Sequence, residues 1–162
     1  MTEDLSLIKE LREKTGAGFL DCKHALKESN NEVELAIDSL RKKGLAKALK
    51  KSSREANEGA VGVYSNQSQT IVIKINSETD FSAKSDTFLD FLNSLGDIAL
   101  KIKDNNLNLD IFLNYKHNSK FVSDLIAEMI AKIGENIIVK QLQVINHKNT
   151  KICFYVHSKR KL

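Results

Sequence analysis

Ile75-Asn76-Ser77-Glu78-Thr79-Asp80-Phe81-Ser82-Ala83-Lys84-Ser85-Asp86 joins two segments of different periodicity. Before it, Ile71, Ile73 and Ile75 alternate with other residues and predict a strand. After it, Phe88, Phe91, Leu92, Leu95, Ala99 and Ile102 recur at helical spacing. The connection between them is polar except for one large aromatic, Phe81, which sits beside the acid Asp80. A strand and a helix that each bury an apolar face hold such a connection at both ends and push its tip outward. Phe81 then has two readings. It plugs the strand–helix corner, which pattern alone favours, or it stands out of the surface as a contact group.

Working outward, Gly59 to Tyr64 and Gln69 to Asn76 read as a hairpin around Asn66-Gln67-Ser68. The helix runs from about Ser85 to Lys103 and ends at Asp104-Asn105-Asn106, while Leu107, Leu109 and Leu113 settle on no single period. Ser119 to Ile133 is helical again, with Val122, Leu125, Ile126, Met129, Ile130 and Ile133 on one side and Gly134 as its stop. Ile137 to Ile145 and Lys151 to His157 read as a second hairpin around Asn146-His147-Lys148-Asn149. This part of the chain is therefore α+β, with helices inserted between hairpins.

Towards the N-terminus, residues 2–43 read as three short helices. Leu5, Ile8 and Leu11 line the first, and Gly16-Ala17-Gly18 breaks it. The second spans about Phe19 to Glu28, with Leu20, Cys22, Ala25 and Leu26 available for a core. Asn31 and Glu34 make a capping-box pattern before Val33, Ala36, Ile37 and Leu40, and Gly44 reads as the stop of the third helix. So small a bundle has little core and is expected to lean on a neighbour or a partner. From Arg41 to Arg54 every charge is positive, which reads as a basic helical linker. No aromatics are interleaved for base stacking, so a solvated charged face is favoured over a dedicated RNA site.

The chain has 162 residues and a formal charge of +4, which suits an acidic protein partner as well as nucleic acid. Its two cysteines, Cys22 and Cys153, form no disulfide framework and point to a reducing, cytoplasmic setting. Met1-Thr2-Glu3-Asp4 is acidic and no apolar run approaches about 18 residues, so neither signal peptide nor membrane span is expected. No phosphate loop, GxGxxG or HExxH motif occurs. Cys22 and His24 lie about 200° apart around a helix and cannot close on one ion. Cys153 and His157 share a strand face but are too far apart without bending. No nucleophile sits beside a histidine base at local spacing, so bond-making chemistry, metal and cofactor are not expected.

Ile8 to Gly18, Asp21-Cys22-Lys23, Ala25-Leu26, Leu35-Ala36-Ile37, Leu40-Arg41-Lys42 and Gly44 together resemble the N-terminal signature of bacterial elongation factor Ts, the nucleotide-exchange factor for elongation factor Tu. Glu58-Gly59, Glu78-Thr79-Asp80-Phe81, Lys132 to Ile137 and Tyr155 with His157 resemble that family's later signatures, in order and across essentially the whole chain. The resemblance implies a ubiquitin-associated-like three-helix domain over 1–44, a basic helical linker over 45–57, and the N-terminal half of the family's core over 58–162. It implies docking on the partner's nucleotide-binding domain through Phe19, Leu20 and Lys23, residues that otherwise read as core and cap groups of a free bundle. Thr79, Asp80, Phe81 and Ser82 would dislocate the partner's Mg²⁺, with Ile133, Gly134 and His157 close by. This reverses the order of the two readings of Phe81.

Two departures stand out. Ser82 replaces the valine usual after the motif phenylalanine. The match also ends at Leu162, where long members continue into a second core half and a coiled-coil insertion, so contacts made by those parts are expected to be missing. An uncovered strand at Lys151 to His157 would favour a symmetric homodimer. The resemblance thus implies exchange without bond chemistry on GDP-bound elongation factor Tu, with nucleic acid not the primary partner. The alternative is a basic module that binds RNA or the ribosome through residues 41–54 and has no exchange activity.

Overall fold

The computed structural model describes residues 2–147 and 152–155. Helix α1 (Thr2–Thr15) ends where Gly16 turns left-handed, with its N–H on the Arg12 carbonyl at 2.7 Å. Helix α2 (Phe19–Glu28) buries Cys22, Ala25 and Leu26. Leu20, an expected core residue of this helix, is instead exposed. Asn30 and Asn31 both adopt positive φ and make the next turn, a conformation asparagine tolerates better than most residues. The expected capping box at Asn31 does not form: Glu32 is the N-cap of α3, with no side-chain cap bond, because Asn31 is spent on the left-handed turn.

Helix α3 (Val33–Lys51) corrects a second expectation. It runs unbroken through Gly44, which is buried mid-helix rather than a stop. A Cβ there would lie 3.3 Å from the Ala131 Cβ, so the missing side chain lets α3 approach helix α7 (Val122–Ile133) closely. Gly134, by contrast, does end its helix as expected, with φ 87° and its N–H on the Ile130 carbonyl. Ala36 near the start of α3 belongs to the small core of the first three helices, and Ala48 near its end belongs to the main core.

Strands β1 (Glu58–Ser65) and β2 (Gln69–Ser77) form the expected hairpin, with Asn66 Oδ1 accepting the Ser68 and Gln69 N–H groups at 2.9 Å each. The N-cap of one-turn helix α4 (Asp80–Ala83) is Thr79, and Ser85 caps helix α5 (Asp86–Lys101). The ambiguous stretch contains helix α6 (Leu109–Leu113) and a two-residue ladder of β3 (Lys116–His117) with β4 (Lys120–Phe121). That ladder turns through Asn118 and Ser119, both at positive φ, which moves the start of α7 past Ser119.

Strand β5 (Ile137–Asn146) pairs antiparallel with β2, giving the order β1-β2-β5. The register slips between Lys74 and Ile75, leaving Lys140 as the extra residue of a bulge. Ile137 and Val139 are buried before the bulge, Leu142 and Val144 face the core after it, and Lys140 and Gln141 are both exposed. The second hairpin is corrected: β5 takes β2 as its partner, and Ile152 to Tyr155 form no strand. The remainder of that expected limb, including His157, lies outside the described residues. The homodimer expectation rested on that limb, and its described part offers no strand edge. The inner sheet face, with Ile71, Ile73 and Ile75 fully buried, packs with Phe88, Leu95, Phe112 and Val122.

Candidate functional site

The junction between β2 and α5 is knitted by short local bonds. Ser77 Oγ donates to the Thr79 carbonyl at 3.0 Å, and Thr79 Oγ accepts the Ser82 N–H at 3.2 Å as the cap of α4. Ser85 Oγ donates to the Ser82 carbonyl at 2.8 Å. Ser82 and Ala83 face inward, so the remaining side of this single turn faces out and carries Phe81. Phe81 is 85% exposed, which rules out the core-plug reading. Beside it, the Lys84 ammonium bonds the Asp80 carboxylate and holds its pKa below the usual value. Ser82 Oγ is buried with no hydrogen-bond partner, a cost that an apolar side chain at this place would not carry.

A second segment, the turn from α7 into β5, holds this loop. Glu135 accepts from Thr79 twice, from the N–H at 3.0 Å and from Oγ at 2.7 Å. In the opposite sense, Glu78 accepts the Asn136 N–H at 2.6 Å. Beneath them runs the chain that leaves α3. Lys51 donates to the Gly134 carbonyl, Asn136 Nδ2 donates to the Arg54 carbonyl at 2.7 Å, and Arg54 lies 3.6 Å from Glu78. Asn76 Nδ2 donates to the Ala56 carbonyl at 2.8 Å.

Of the residues expected at the site, Thr79, Asp80, Phe81 and Ser82 therefore stand next to the turn that carries Ile133 and Gly134. Phe19, Leu20 and Lys23 lie apart on α2, all three exposed, with Phe19 at 42% and Leu20 at 66%. Their alternative reading as core residues fails on that exposure. Glu135, Asn136, Lys51 and Arg54 were not expected at the site. Glu135 and Asn136 were visible in the sequence, but their bonds to Thr79 and Glu78 span 56 and 58 residues and no local pattern reports them. Among the described residues no cluster of His, Cys, Asp and Glu could hold a metal ion, and no helix is long and apolar enough to cross a membrane.

Phe81 is thus a solvent-facing phenylalanine on a turn held from below. The family model described as Elongation factor TS matches residues 78–162. Relatives named Elongation factor Ts include that of Rhizobium meliloti (strain 1021), 42% identical over 98% of this chain and 51% of its own length. Those of Rhizobium etli (strain CIAT 652) and Parvibaculum lavamentivorans are each 42% identical over 94% of this chain and 49% of their own length. The chain belongs to the elongation factor Ts family. It spans about half the length of the curated relatives it matches.

Proposed function

We propose that the chain is a guanine nucleotide exchange factor of translation elongation that binds GDP-bound elongation factor Tu and promotes GDP release without making or breaking a bond. The observation that supports this reading most is Phe81, 85% exposed on a turn held by bonds at Thr79, Asp80 and the Ser82 backbone. Mg²⁺ demands near-ideal octahedral geometry, so a small displacement of its ligands weakens both the ion and the phosphates it neutralises. Burying one phenylalanine against a partner supplies about 1.5–3 kcal/mol towards such a displacement. Linkage then requires GDP to weaken the factor's binding as much as the factor weakens GDP binding. Thr79 and Asp80 shape the turn, and Ile133 and Gly134 border it. In this reading residues 1–44 form a docking domain that uses Phe19, Leu20 and Lys23, with residues 45–57 linking it to the core from residue 58.

The RNA-binding alternative is weakened by where the basic side chains go. Lys43 pairs with Glu28 at 2.7 Å, Lys47 with Asp21 at 3.0 Å and Lys42 with Asp38 at 2.8 Å. Lys51 and Arg54 are engaged at the Gly134 turn and Glu78. Each of these charges must give up a partner within the chain before it neutralises a phosphate, which lowers the net gain by a small amount per residue. The test is release of labelled GDP from elongation factor Tu. The chain accelerates release, and Phe81→Ala reduces that acceleration by about thirtyfold, as expected of a hot spot, with unchanged helix content. Full activity of Phe81→Ala removes this residue from the mechanism, and binding that depends steeply on salt with no preference for elongation factor Tu favours RNA.

A further inference from the structure

We propose that Glu135 is the positioning residue that holds Phe81 in its working orientation, by clamping Thr79 from the opposite side of the site. The inference rests on the exchange reading above. Helix α4 has four residues, too few to be stable by its own hydrogen bonds. Its Phe81 ring gains no anchorage from the core, since it is 85% exposed. Orientation of the ring must therefore come from the backbone beneath it.

Glu135 supplies that orientation through one residue. One carboxylate oxygen takes the Thr79 N–H and the other takes the Thr79 hydroxyl proton. With its proton so committed, Thr79 Oγ turns a lone pair to the Ser82 N–H and caps α4. Carboxylate, hydroxyl and helix start thus form one chain of bonds ending one residue past Phe81. Glu78 crosses in the other direction to the Asn136 N–H, next in sequence to Glu135. A single bond between two loops leaves a pivot, whereas two crossed ones resist rotation. A wedge ordered in advance spends its burial energy on the partner rather than on its own ordering.

Three measurements test this on the full chain. The sequence contains no tryptophan, so Phe81→Trp places a single tryptophan at the tip, which red-edge excitation selects over the tyrosines. Its anisotropy decay follows overall tumbling, and adding Glu135→Ala introduces a nanosecond segmental component. Hydrogen exchange at the Thr79 amide rises about tenfold in Glu135→Ala, the loss of a charge-assisted bond. In GDP release from elongation factor Tu, Glu135→Ala lowers the maximal rate about tenfold while the half-saturating concentration stays within about twofold, because orientation and not docking is lost. Glu135→Gln recovers most of that rate, since its Oε1 accepts the Thr79 N–H and its amide donates to the Thr79 hydroxyl. Should Glu135→Ala fail to fold, Thr79→Val removes the hydroxyl arm from the other side and gives the same split. An unchanged anisotropy decay and Thr79 exchange overturn the clamp. A loosened loop with an unchanged maximal rate overturns the positioning role. Absence of any GDP release by the unaltered chain instead overturns the exchange reading and with it the purpose of the clamp, whereas the loop measurements need no partner and fail separately.

Discussion

The two hydrophobic cores differ in kind as well as size. Among the described residues, the N-terminal bundle buries Ile8, Leu11, Cys22, Ala25, Leu26 and Ala36, a set with no aromatic and with two alanines. The main core buries twenty side chains, including Phe88, Phe91 and Phe112. Burial stabilises in proportion to area, so the larger core can stand alone and the smaller has little margin over its ordering entropy. The bundle is held by sharing α3, whose second half is packed into the main core at Ala48 and lies against α7 at Gly44. Ion pairs between its helices, such as Lys47 with Asp21, are half-exposed and add well under about 1 kcal/mol each. A bundle attached in this way keeps its position relative to the Phe81 turn.

The largest effect that distinguishes the two cores is expected from truncating each at a fully buried side chain. Phe88→Ala should cost about 3–5 kcal/mol and Leu11→Ala about 2–3 kcal/mol, as read from urea unfolding. Amide exchange should show Phe88→Ala exposing both regions, because the bundle loses its anchor, and Leu11→Ala exposing only α1 and α2. Equal loss of protection in β2 from Leu11→Ala would make the two cores one cooperative unit and break the contrast.

A middle-sized effect belongs to the seam. Gly44→Leu improves helix propensity by about 0.8 kcal/mol, yet it forces a side chain against Ala131 and should cost a net 1–3 kcal/mol, roughly the overpacking range. Amides of α1 and α2 should lose protection while those of β2 keep theirs. A stabilised variant would mean that α3 and α7 can part without loss.

The smallest effect sharpens the main core alone. Tyr64 Oη donates to Asn93 Oδ1 at 2.9 Å, and burial, assisted by nearby Asp97, pushes its pKa up from 10.0 to about 12. The folded state thus holds this proton more tightly than the unfolded chain does. The contribution is complete below pH 10.0 and is lost as pH rises through about 12. Tyr64→Phe should cost about 1 kcal/mol at neutral pH and flatten the decline in the urea midpoint over that alkaline window. An identical decline in the variant would assign it to another group.

At the site, the motif and the strand–helix corner that carries it were legible because they are local. The helix behind the corner follows from spacing alone, whereas the capping by Thr79 and Ser85 is seen only in the structure. Whether Phe81 faces in or out was not legible from pattern, since a one-turn helix has no periodicity to orient it. The second half of the site was legible only as a signature. Glu135 and Asn136 acquire their roles from Thr79 and Glu78, and those meetings depend on β5 lying beside β2.

By itself the sequence determined the elements whose side chains repeat: the three N-terminal helices, the first hairpin, α5 and α7. Their period is set by backbone geometry and survives any arrangement of neighbours. Tertiary structure alone decided the meaning of residues that have no period. Gly44 and Gly134 look equally like helix stops, but one is an interior contact with α7 and the other a left-handed cap. Ile137 to Ile145 reads as half of a hairpin, yet its hydrogen bonds go to β2. A backbone donor or a missing Cβ is satisfied by whatever packs against it, and that partner lies far away along the chain.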